Sequence, residues 1–152
     1  MKLDKKIITI DGPSASGKGV LSSSLATSLF MYDFPFKDNG LFISYAFLTP
    51  NTDIQKVESI ILNEYSKIAN EGITENELKK AKAQISSDIS FSRDGSYAIA
   101  GALNEALAIG DWKFYTNFIE NINNVSVKDV QSIVKKYLVE DQSTVGWFIP
   151  KK

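Results

Sequence analysis

The residues best equipped for chemistry stand near the front of the chain, where Gly12-Pro13-Ser14-Ala15-Ser16-Gly17-Lys18 fits G-x-x-x-x-G-K. In that pattern the glycines let backbone N–H groups turn inward around phosphate oxygens. The lysine reaches the outer phosphates, and the helix that follows adds a favourable dipole. The candidate nucleotide-binding set is Gly12, Ser14, Ala15, Ser16, Gly17, Lys18 and Gly19, with ATP as the candidate ligand. The Ser or Thr that normally closes the pattern and holds Mg²⁺ is replaced by Gly19, followed by Val20.

Catalysis asks for more than this loop. Phosphoryl transfer relies on cationic clamps, and arginine suits them because its planar fork binds phosphate bidentately. The only arginine in the sequence is Arg93, far from the loop. The chain has no histidine and no cysteine. Ser-His-Asp and Cys-His catalysis are therefore excluded, and so in practice is a self-contained catalytic zinc site, which nearly always uses histidine. A net charge of -1 gives no electrostatic reason to expect nucleic acid or an anionic membrane as a partner. No apolar run approaches the roughly 20 residues that span a bilayer, and the run at 7–10 is too short for a signal-peptide core. A cytoplasmic location is expected.

The elements that would position these residues follow from pattern. The 152 residues, 43% hydrophobic and 23% charged, suit a single soluble domain. Ile7-Ile8-Thr9-Ile10 reads as a buried strand entering the Gly/Pro/Ser turn, and Val20, Leu21, Leu25 and Leu29 fall at helical spacing after Gly17. Asp33-Phe34-Pro35-Phe36-Lys37-Asp38-Asn39-Gly40 reads as a loop, and LFISYAFL at 41–48 as the best strand. Helical segments then follow one another. The first carries Ile54, Val57, Ile61, Tyr65 and Ile68 and is capped by Gly72. The second opens on the capping box Thr74-Glu75-Asn76-Glu77, carries Leu78, Ala81, Ile85 and Ile89, and breaks or bends near Arg93-Asp94-Gly95. An Ala-rich segment at 97–109 ends at Gly110, a segment capped by Asp111 holds Trp112, Phe114, Tyr115, Phe118 and Ile119, and Ser126 caps the last, with Val127, Val130, Val134 and Leu138 inward. TVGWFI at 144–149 reads as a closing strand. Consecutive helices argue against a doubly wound sheet, so the expectation is an α+β fold with a small, mostly antiparallel sheet packed against several consecutive α-helices.

The string Ile7-Ile8-Thr9-Ile10-Asp11-Gly12-Pro13-Ser14-Ala15-Ser16-Gly17-Lys18-Gly19 resembles the opening of bacterial cytidylate kinases over about the first 26 residues. That family commonly has Thr after Gly-Lys-Gly, so Val20 departs from it. The resemblance implies nucleotide binding, while the family's arginine-rich lid has no counterpart here.

From about residue 29 onward the sequence resembles the C-terminal domain of insulinase/pitrilysin-type zinc metallopeptidases. The likeness is carried by Lys37-Asp38-Asn39-Gly40-Leu41-Phe42, Lys56-Val57-Glu58, Glu71-Gly72-Ile73-Thr74-Glu75-Asn76-Glu77-Leu78-Lys79-Lys80-Ala81-Lys82, Gly110-Asp111-Trp112, Val125-Ser126-Val127-Lys128-Asp129-Val130 and Thr144-Val145-Gly146-Trp147-Phe148. The resemblance implies a non-catalytic domain that packs against a zinc-peptidase catalytic domain or a peptide. The zinc of that family lies in a partner domain, on an inverted His-x-x-Glu-His motif. It also implies that a kinase-like βα unit, residues 1–28, stands where the family has its own opening strand and helix, ahead of a metallopeptidase-like region, residues 29–152.

Single residues admit two readings. Arg93 and Tyr97, four apart, form a substrate-gripping pair only if Gly95 leaves the helix intact; otherwise they are a helix-break charge and a packing ring. Glu71, Glu75 and Glu77 read as capping and dipole residues before metal or acid–base groups. Trp112, Phe114, Tyr115 and Phe118 read most simply as core, and Trp147 and Phe148 as opposite faces of a strand.

Overall fold

The computed structural model describes residues 25–34, 36–37 and 40–149. Two strands come first, β1 (Ala26–Phe34) and β2 (Leu41–Leu48). Five helices follow, α1 (Ile54–Glu71), α2 (Glu75–Ser92), α3 (Ser96–Ile109), α4 (Lys113–Asn124) and α5 (Val127–Tyr137), and then a short 3₁₀ turn, Glu140–Gln142. This is the α+β arrangement that the sequence implies, with a two-stranded antiparallel sheet.

β1 corrects two expectations. Leu25 and Leu29 were placed by their spacing in a helix, and Asp33 and Phe34 in a loop, yet all but Leu25 lie in the strand. The four-residue spacing of the leucines is outweighed by Phe30, Tyr32 and Phe34, whose period of two suits a strand with unlike faces. β2 matches its expected bounds. Phe30 faces Tyr45, Tyr32 faces Ile43, Phe34 faces Leu41 and Leu29 faces Ala46, with a register shift between Ala26 and Ser28. That irregularity carries one extra residue, so Ala26 rejoins the inner face opposite Leu48.

The inner face packs on α1. Leu29 and Val57 form the buried centre, joined by Leu25, Met31, Ala46, Leu48, Ile60 and Ile61. Tyr65 reaches the same face, where its hydroxyl bonds to that of Ser44 and its ring meets Phe42 edge-on. Burial pushes the Tyr65 hydroxyl above the ordinary phenol value, against a smaller lowering by Ser44.

Helix ends follow from local chemistry. The Asp53 carboxylate accepts from the N–H groups of Gln55 and Lys56 at the start of α1. Gly72 ends that helix at φ +77°, a left-handed value that only glycine adopts freely, and its N–H donates to Ile68 O. Beside it, Gln131 of α5 donates to Ala69 O and Asn70 O, 2.9 and 3.2 Å away, satisfying two terminal carbonyls of α1. The buried residues of α5, Val130 and Val134, lie on the side by which it meets α1. Gly95, at φ +88°, separates α2 from α3. α4 closes on α2 and α3, and Lys82 of α2 donates to Asn123 O and Val125 O at its end.

Both capping boxes are complete. Thr74 N–H and Oγ1 each donate to Glu77 Oε2 at 2.7 Å, and Glu77 N–H returns to Thr74 Oγ1 at 3.2 Å. Ser126 and Asp129 repeat the pattern at α5. Thr74→Ala should cost about 1 kcal/mol in a chemical-denaturation midpoint. Hydrogen bonds from Thr74 and Ser126 hold the Glu77 and Asp129 carboxyls below their ordinary values. Depressed carboxylates stabilise the fold above their unfolded pKa, about 4, and that contribution is lost as pH falls through the folded value. The melting temperature should therefore decline below about pH 4, and less steeply in a Thr74→Ala, Ser126→Ala double variant. An unchanged slope in that variant would remove the caps as the cause.

The closing strand is the third correction. Residues 144–149 pair with no strand among the described residues and are exposed throughout. They lie beside α1, where Trp147 Nε1 donates to Glu58 Oε2 at 2.9 Å. A strand needs a ladder partner, and among the described residues neither outer edge of the β1–β2 pair receives these residues.

Candidate interaction surface

The candidate phosphate loop, Gly12 to Gly19, and the strand expected at 7–10 lie outside the described residues. Among the described residues no group of three or more His, Cys, Asp or Glu side chains converges to hold a metal ion. With no histidine or cysteine in the chain, these residues do not fit a catalytic zinc.

The single-residue alternatives resolve into structural roles. Gly95 breaks the helix, so Arg93 and Tyr97 do not share a face. Arg93 turns to α4 instead: its Nη2 donates to Tyr115 O at 3.1 Å and its guanidinium lies 4.6 Å from the Tyr115 ring centroid. Tyr97 is 92% exposed and packs no core. Of the α4 aromatics, Tyr115 and Phe118 are half-buried, whereas Trp112 and Phe114 are exposed, so the expected core role holds for only part of the group. An amphipathic helix covers one face only, and positions 112 and 114 fall away from the seam with α2 and α3.

What the structure does assemble is an aromatic surface. With α1 on the inner face, alternation sends Phe30, Tyr32, Phe34, Leu41, Tyr45 and Phe47 to the outer face, where all six are exposed. Their rings form one ladder. Tyr32 stacks on Tyr45 at 5.5 Å between centroids, Phe30 lies 5.7 Å from Tyr45 and meets Phe47 edge-on at 6.1 Å, and Tyr32 stacks on Phe34 at 6.2 Å. Desolvation among these rings, and then the neighbouring Tyr32 hydroxyl as charge and hydrogen-bond partner, raise the Tyr45 hydroxyl above the ordinary phenol value. The Tyr45 phenol therefore stays neutral at physiological pH, and the face combines flat apolar area with hydroxyl groups able to hydrogen-bond.

A contiguous apolar patch of this kind marks a surface built to be covered. The sequence reading missed it because the helical spacing ended at Leu29 and Phe34 was placed in a loop, which left Phe30 and Tyr32 unassigned between them. The available signal was LFISYAFL itself: apolar residues on both faces of a strand mean that both faces are buried in use.

Residues 19–85 match the family described as the Peptidase M16 inactive domain. The solved inactive peptidase domain of a protein assigned as a zinc protease in Bordetella parapertussis is 25% identical, with a TM-score of 0.78 over 94% of this chain and 77% of that one. Among curated proteins, the β subunit of the mitochondrial-processing peptidase of Lentinula edodes is 27% identical over 85% of this chain, and the zinc protease PqqE of Helicobacter pylori 24% identical over 83%. The chain spans 28% of the length of each of these two. The inactive-domain match, the shared fold and the chain's own lack of zinc-binding residues converge. The chain is similar to the inactive, C-terminal-type domain of insulinase/pitrilysin-like metallopeptidases.

Proposed function

We propose that this domain completes a zinc peptidase by packing its outer sheet face against a zinc-binding catalytic domain, in a partner chain or elsewhere in a longer polypeptide. The aromatic ladder carries the proposal. Six exposed apolar side chains on one flat face have little use in water, and aromatic residues are those enriched at interface centres. Two relatives much longer than this chain, one a peptidase subunit and the other a zinc protease, support a catalytic partner. The domain contributes shape and binding energy, and the zinc chemistry stays with the partner. Calorimetric titration of this chain into a zinc-binding peptidase subunit from the same organism should give a one-to-one complex with a negative heat-capacity change. No heat and no complex would remove the proposal.

A second reading rests on the G-x-x-x-x-G-K pattern alone. In it, Gly12, Ser14, Ala15, Ser16, Gly17, Lys18 and Gly19 hold the phosphates of a nucleotide such as ATP. The family match begins at residue 19, so the Gly12 to Lys18 stretch precedes it. Mg-ATP at about 100 times its Kd should raise stability by roughly 2.7 kcal/mol in a thermal melt, and Lys18→Ala should abolish the rise. No shift in the unmutated chain would end this reading.

A further inference from the structure

Asp94 and Gly95 join α2 to α3, outside both helices, and both are exposed. The Asp53, Asp111 and Asp129 carboxylates each accept from a backbone N–H at a helix start. The Asp94 carboxylate has no hydrogen-bond or ion-pair partner among the described residues, and the Gly95 N–H has no acceptor there. An N–H engaged in a helix is held in line with its acceptor, whereas this one is free to turn. Gly95 stands at φ +88°, and a Cβ built on it would meet nothing within 4 Å, so no side chain crowds the joint. We propose that Asp94-Gly95 is a site of spontaneous isoaspartate formation, through a cyclic imide closed by the Gly95 nitrogen on the Asp94 side chain.

In the first step the lone pair of Gly95 N bonds to Asp94 Cγ. The hydroxyl of the acid form leaves Cγ and departs with the N–H proton as one water, closing a five-membered ring. The attack is intramolecular, between groups of adjacent residues, which gives it a high effective concentration. Water then adds to one of the two ring carbonyls. Addition at Cγ breaks the Cγ–N bond and restores aspartate. Addition at the main-chain carbonyl carbon of Asp94 breaks its bond to Gly95 N and leaves the chain running through Cγ. Composition and charge are unchanged, and neither an oxidant nor a cofactor takes part. The main chain is one methylene longer and bears a free α-carboxylate. Protein-isoaspartate methyltransferases esterify that group, so the modified chain is a substrate for that class of enzyme.

The added methylene falls where the helices are tied together. Arg93, one residue before, donates to Tyr115 O of α4 and lies over its ring. Gly95 O, one residue after, accepts from the Ile99 N–H at 3.3 Å in the first turn of α3. Lengthening the chain between these two anchors changes their spacing, so the isomerised chain should melt at a lower temperature than the unmodified one. The reaction needs no peptidase partner, so it and the docking of the sheet face can each fail without the other.

Long incubation of the full chain in warm, neutral buffer made with water enriched in the heavy oxygen isotope tests the proposal, followed by digestion and mass mapping. The peptide holding Asp94 should yield a second species with isoaspartate at residue 94. That species should carry one heavy oxygen there and accept a methyl group from S-adenosylmethionine through a protein-isoaspartate methyltransferase. Asp94→Glu, which would need a six-membered ring, should lose the signal. Asp94→Asn, which expels ammonia in place of water, should react faster. Both substitutions replace an exposed side chain that touches no partner among the described residues, so both variants should fold normally. No heavy oxygen at residue 94, including label found only at Asp11-Gly12 or Asn39-Gly40, would overturn the proposal. So would labelling of Asp94 in urea alone, since the folded joint would then be holding the two groups apart.

Discussion

Val134→Ala should destabilise the domain by about 2–3 kcal/mol. Val134 is 0% exposed and lies on the side of α5 that meets α1. Removing two methyl groups loses about 1.6 kcal/mol of transfer free energy, and the cavity left behind adds to it. For a chain of this size the melting temperature should fall by roughly 5–10 °C. The effect is large because α1 joins both halves of the fold: its Val57 sits under the sheet, while Gln131 of α5 bonds the carbonyls at its far end. A loss under about 0.5 kcal/mol, the size of an ordinary surface substitution, would show that this seam does not hold the domain together.

Phe30→Ser combined with Tyr45→Ser should weaken the peptidase complex by at least 100-fold while leaving the fold intact. Buried aromatic anchors at an interface centre commonly cost 2 kcal/mol or more each when truncated, and two such losses reach a factor of several hundred. In the free domain both side chains are exposed, and what they lose is their ring contacts with each other and with Tyr32 and Phe47, about 1 kcal/mol for each pair. The variant should thus separate binding from stability: still folded with a lowered melting temperature, and strongly impaired in the titration. Equal affinities for variant and unmutated chain would place the partner on another surface.

The helical part of the fold was legible because its signals are local. Thr74 to Glu77 and Ser126 to Asp129 cap by contacts within four residues, and Gly72, Gly95 and Gly110 end or divide helices through their own positive φ. The strands were harder, because a strand is defined by its neighbour. β2 announced itself by apolar content. β1 was hidden by leucines that happen to fall four apart, and its alternating aromatics carry meaning only when paired with β2. Residues 144–149 illustrate the converse: they have the composition of a strand and no ladder partner among the described residues. The aromatic face was unreadable for the same reason, since Phe30, Tyr32, Tyr45 and Phe47 become one surface only through the β1–β2 register. The family resemblance compensated for this at the level of function, resting on residues such as Lys37, Gly72 and Thr74 whose order persists where local pattern is ambiguous.

The most direct test of the central claim is amide hydrogen exchange on the domain, free and bound to its zinc-binding peptidase subunit. Docking through the outer sheet face predicts that β1 and β2 gain protection on binding, while the exposed side of α3 exchanges as it does in the free domain. Protection confined to the helices, with both strands unchanged, would contradict it.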